Sequence, residues 1–104
     1  MAKRQWERPT MIKIIIDRRV KKRRVPDFLR LLEELRKKAI VAKGYISGET
    51  LQASDNPYNL LVISTWHSVG DWKNWEKAPE RKELQAKIEE LTVMPTKVSI
   101  YENV

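Results

Sequence analysis

The sequence predicts an α+β fold in which a four-stranded antiparallel sheet carries its helices on one face. Two stretches rich in β-branched residues, 11–17 and 60–66, read as strands too short and stiff to favour helices. Between them Phe28, Leu31, Leu32, Leu35 and Ala39 fall on one helical stripe. After them, Ser68-Val69-Gly70-Asp71 has the spacing of a capping box and starts a second helical pattern that Pro79 interrupts. The order is therefore strand, helix, strand, strand, broken helix, strand, which right-handed crossovers close into a ferredoxin-like βαββαβ sheet.

Each element has its own warrant. In the first strand the two faces are Ile12, Ile14, Ile16 and Met11, Lys13, Ile15, Asp17, and its basic continuation at 18–24 is predicted to leave the sheet as a turn. A helix over about 26–42 opens on Pro26, has Asp27, Glu33 and Glu34 ahead of Arg36, Lys37 and Lys38, and stops before Gly44. Residues 45–53 form the second strand, with Gly48 a candidate bulge or close-approach point. Ser54-Asp55-Asn56-Pro57 turns the chain into a hairpin, so 58–66 pairs back. There Leu60-Leu61-Val62-Ile63 is apolar on both faces, the mark of a central strand covered on both sides. Trp72 and Trp75 share one side of a short helix ending near Lys77; Leu84, Ile88 and Leu91 mark the segment after Pro79, and 96–102 alternates as the last strand.

Composition narrows the function classes. The 104 residues fit one domain, read as a basic arm at 1–9 and a single domain at 10–104. A 41% hydrophobic and 34% charged composition indicates a globular chain. Without cysteine there is neither disulfide nor thiol chemistry. No apolar run approaches the roughly 18 residues of a membrane span, and residues 1–8 lack the apolar core of a secretory signal, so no membrane partner and a cytoplasmic location are expected. The net charge of +7 attracts polyanions. The basic runs nevertheless read as solvated loop or helix ends, and no aromatic platform interleaves with them, which argues against nucleic acid.

The candidate chemistry concentrates at 60–75, which holds three of the four Trp and the only His. Trp66, Trp72 and Trp75, with Tyr45, can wall a pocket for a flat apolar molecule or fill a core corner. His67 has the intrinsic pKa of a general acid–base near neutrality. Asp17, if its strand face turns inward among apolar walls, can deprotonate a phenol or hydroquinone; otherwise it pairs with Arg19 or Lys13. One His without Cys forms no transition-metal set. Two helices cover one sheet face, so the other face predicts a homodimer packed sheet against sheet.

The Ile-rich first strand, Gly44-Tyr45-Ile46-Ser47-Gly48-Glu49-Thr50, Leu61-Val62-Ile63-Ser64-Thr65-Trp66, Trp72 with Trp75, and Ala78-Pro79-Glu80-Arg81 resemble the antibiotic biosynthesis monooxygenase (ABM) domain family. The resemblance implies a dimeric α+β barrel with a pocket between sheet and helices. Characterised members oxygenate aromatic polyketides without metal or flavin, degrade haem, or act on small signalling or quinone-like molecules. The haem-degrading pattern of Asn, Trp and His falls on Asp17, Trp75 and Gln85, so only the Trp is kept and haem is disfavoured as a cofactor. The expectation is a cofactor-independent monooxygenase acting on an aromatic or quinone-like small molecule. The alternative is a non-catalytic dimeric ligand-binding or stress-associated protein of the same fold.

Overall fold

A computed structural model describes residues 11–104; the arm at 1–9, and Trp6 within it, lies outside the described residues. The elements are β1 (Ile12–Arg19), α1 (Val25–Ala39), β2 (Tyr45–Ala53), β3 (Asn56–Trp66), α2 (Val69–Glu76), α3 (Pro79–Glu89) and β4 (Lys97–Glu102). They form the expected antiparallel four-stranded sheet, in the order β2-β3-β1-β4. The two most apolar strands are thus central.

Register decides which side chains meet. Ile12 stands opposite Trp66, Ile14 opposite Ser64 and Ile16 opposite Val62. With strand side chains alternating between faces, these residues share the face covered by the helices, and Ile12, Ile14 and Ile16 are buried there with Phe28, Leu35, Trp72, Leu84 and Ile88. Among the described residues no helix is long and apolar enough to cross a membrane.

Most boundaries follow the sequence, with informative exceptions. The Ser68 hydroxyl accepts from the Asp71 amide at 3.1 Å, so the predicted cap starts α2. Helix α1 ends at Ala39, three residues early, and the chain turns through Gly44 at φ +88°. A side chain at Gly44 would collide with Asp71 as well as strain the backbone. Gly48 is a close-approach point: a Cβ there would lie 2.7 Å from the Tyr45 hydroxyl. The register shifts fall between Tyr45 and Ser47 and between Gln52 and Ala53, not at Gly48.

The largest departure is at the basic run. Arg18 does not enter a turn: β1 continues through Arg19, and the Val20 amide still donates to the Tyr58 carbonyl at 2.8 Å. Strand parity outweighs charge here, because Ile14, Ile16, Arg18 and Val20 all point inward and Arg18 is only 1% exposed.

Candidate functional site

Trp66 is the hub of the site. Tyr45 meets its ring edge-on at 5.3 Å and 89°, Trp72 lies at 5.7 Å and 67°, and Trp75 stacks at 6.5 Å and 23°. The Trp66 indole N–H donates to the Ser64 hydroxyl at 3.1 Å, which satisfies its one polar atom. Strand β3 and helix α2 bring the rings together because only one capped turn separates Trp66 from Trp72.

Between these rings and α1 is a cavity of about 60 Å³, walled also by Leu35, Ala39, Val62, Arg18 and Arg81. Leu32, Arg36 and Thr50 line both it and an outer groove of about 440 Å³ between α1 and β2. The Arg36 guanidinium donates to the Gly48 carbonyl at 3.3 Å across that wall. This bond is exposed and lies at the long end of hydrogen-bond distances, so it is weak.

The expected residues divide cleanly. Trp66, Trp72, Trp75 and Tyr45 are brought together around the cavity. Asp17 is not: its strand face turns outward, and its carboxylate lies 3.6 Å from Arg19 Nε. The inward face that a role as a base requires is therefore absent. His67 is exposed at the strand end; its backbone amide donates to the Gly44 carbonyl at 2.8 Å, and its side chain does not line the cavity. Glu49 is the only carboxylate in the cavity lining, and it is exposed.

The sequence reading missed two buried cations. Arg18, counted among solvated charges, lies with its guanidinium 5.7 Å from the Phe28 ring, and Arg81, 6% exposed, lies 5.1 Å from the Trp72 ring. Neither pairs with a carboxylate among the described residues. Burial, and then the neighbouring Arg81, push Arg18 down to about 10 against the pull of Glu89, so it remains a cation at neutral pH. Burial also lowers Arg81, with Glu76 and Glu89 opposing. Parity at Arg18, and the spacing of Arg81 to Leu84 and Ile88, were the available signals.

Gln85 explains how Arg18 is held. Its carbonyl accepts from the Arg18 guanidinium at 2.8 Å, and its amide donates to Glu89 at 2.8 Å and to the Thr96 hydroxyl at 3.1 Å. The amide is thus committed on both sides. The imidazole of the haem-degrading pattern is absent here, because the amide of Gln85 stands at that position and is committed to Arg18, Glu89 and Thr96.

Glu89 anchors the chain entering β4. Burial pushes its carboxyl up, but the Thr96 amide, Gln85 and the Thr96 and Thr92 hydroxyls together hold it below its usual 4.5. A depressed carboxylate stabilises the fold fully above its unfolded value, and that contribution is lost as pH falls through the folded value. Thermal melts should therefore show midpoints falling below about pH 4.5, with a shallower fall in Glu89→Gln.

An α+β sheet with a small aromatic-walled cavity under its helices is the architecture to which the comparisons also lead. The family model described as antibiotic biosynthesis monooxygenase matches residues 11–87, and the chain belongs to that family. Among solved structures, a conserved protein from Methanosarcina mazei Go1 is 22% identical, covers 92% of this chain and 95% of its own, and superposes with a TM-score of 0.88. SnoaB from Streptomyces nogalater, a cofactor-independent oxygenase, is 9% identical over 91% of this chain and 94% of its own, with a TM-score of 0.83. Rv0793 from Mycobacterium tuberculosis is 15% identical over 90% and 95%, with a TM-score of 0.82. No curated protein sequence matches the chain.

Proposed function

We propose that the protein is an oxygen-dependent monooxygenase that acts on a flat phenolic or quinol-type molecule without metal or flavin. The observation that carries this reading is the aromatic box of Tyr45, Trp66, Trp72 and Trp75 around a cavity that shares Leu32, Arg36 and Thr50 with an open groove. Kinship with a family that includes cofactor-independent oxygenases supports it. The substrate supplies the electrons: one C–O bond forms, the O–O bond breaks, and two substrate hydrogens leave with the second oxygen as water. The protein's part is to hold the ring against the indoles and exclude solvent. Neither Asp17 nor His67 reaches the cavity, so neither is assigned the proton transfer.

At about 60 Å³ the cavity is too small for the ring. Engineered cavities that take up benzene measure about 150 Å³, so α1 has to yield along the Arg36 to Gly48 contact for a ligand to enter. The same small volume favours the second reading, a non-catalytic protein whose aromatic corner is simply packed. Oxygen uptake with a panel of phenols and naphthoquinols separates the two. Stoichiometric uptake without peroxide release, reduced at least tenfold in Trp75→Ala, is the expected result. No uptake above the spontaneous rate with any compound leaves the packed-corner reading standing.

The outer sheet face also enters this proposal. Ile15 stands opposite Ile63 in the register, and Leu61 stands between Asp17 and Leu51. These apolar side chains are only partly covered, beside exposed Met11 and Tyr101. A second copy packed on this face would bury them. Sedimentation at micromolar concentration should give a dimer, and Ile63→Asp should halve the mass.

A further inference from the structure

Three buried side-chain atoms among the described residues have no hydrogen-bond partner: Arg18 Nε, Arg18 Nη1 and Trp72 Nε1. All three are donors. They belong to residues that line the cavity, where Arg81 adds a second cation. Leaving a buried donor unsatisfied is costly, and natural folds rarely tolerate several together without a use for them. What this wall lacks is an acceptor, and beside two guanidinium groups the best acceptor carries negative charge.

We propose that this end of the cavity is an oxyanion site in which Arg18, assisted by Trp72 Nε1 and Arg81, holds the ionised hydroxyl of a flat phenolic ligand, so that binding itself ionises the ligand. The inference deepens the preceding reading and rests on the cavity being a ligand site. A neutral hydroxyl placed there accepts only through its lone pairs and keeps a proton that none of these groups can take up, whereas the ionised oxygen accepts from more of them and offsets their charge. The O–H bond instead breaks on entry, the electron pair stays on oxygen, and the proton goes to solvent. The network from Arg18 through Gln85 to Glu89 fixes the cation in place, and the group that touches Arg18 is an uncharged amide rather than a carboxylate. A phenolate, the species that oxygen can attack, then forms without Asp17 or His67. Aromatic walls favour a ring-borne phenolate over an aliphatic carboxylate.

The test is a titration of the full chain with 4-nitrophenol, whose phenolate absorbs at longer wavelength than the phenol, with 4-nitroanisole and benzoate as comparison ligands. The bound nitrophenol should ionise about one to two pH units below the free compound. Arg18→Gln should remove at least half of that shift; if that variant does not fold, Arg81→Gln carries the same test. Binding of nitrophenol with an unshifted ionisation, or a shift retained in the folded variant, overturns the oxyanion site alone. Benzoate binding more tightly than nitrophenolate overturns the phenolate assignment. Failure of nitrophenol and nitroanisole alike to bind overturns the cavity as a ligand site, and with it both readings.

Discussion

Trp66→Ala should lower the unfolding free energy by about 3–5 kcal/mol, the range for truncating a large buried aromatic. Trp66 is fully enclosed, and Tyr45, Trp72 and Trp75 all pack on its ring. Removing the indole leaves three aromatic neighbours without a partner and orphans nothing polar, since the Ser64 hydroxyl can reorient. The cost is therefore mainly lost packing. Against a typical total of 5–15 kcal/mol, such a loss leaves the chain marginally folded. Denaturant unfolding followed by far-ultraviolet circular dichroism measures it without relying on Trp emission. A loss below about 1 kcal/mol would mean that α1 and α2 collapse onto the gap, and that the corner is far more plastic than its packing suggests.

Arg18→Met should do the opposite and raise stability, by about 1–3 kcal/mol. The wild-type side chain carries two unsatisfied donors in a nearly water-free position, and Arg81 repels it. Methionine is of comparable length and flexible enough to fill the space beside Phe28. Replacing buried ionic groups by apolar ones of similar volume is often stabilising by about 1–4 kcal/mol. Opposing losses are the hydrogen bond to Gln85 and the contact with the Phe28 ring. These are together smaller, because Gln85 keeps its bonds to Glu89 and Thr96. At about 4–8 °C per kcal/mol for a domain of this size, the midpoint should rise measurably in a thermal melt. A lower midpoint would show that Arg18 is retained for the fold, and would remove the stability argument for a ligand at that position.

The order of elements was legible because each carries a local signal. The Ser68 cap, the helical stripe from Phe28 to Ala39 and the turn at Ser54 and Asp55 act over only a few residues. Strand parity likewise placed Trp66, Ser64 and Val62 on one face. The site was legible in part. The indoles lie close in sequence across one capped turn, so their meeting could be read directly. Arg18 and Arg81, 63 positions apart, could not be brought together from composition, and the density of positive charge around Arg18 disguised a strand position as a turn.

Sequence by itself determined the elements, their order and the aromatic corner, because periodicity, capping and turn chemistry are written along the chain. Tertiary structure alone decided which face of β1 turns inward, and so sent Asp17 out to Arg19 and Arg18 in beneath α3. The physical reason is that a strand offers both its faces equally. Only the packing of helices against one of them selects which residues lose water, and burial is what turns an ordinary arginine into a candidate binding group.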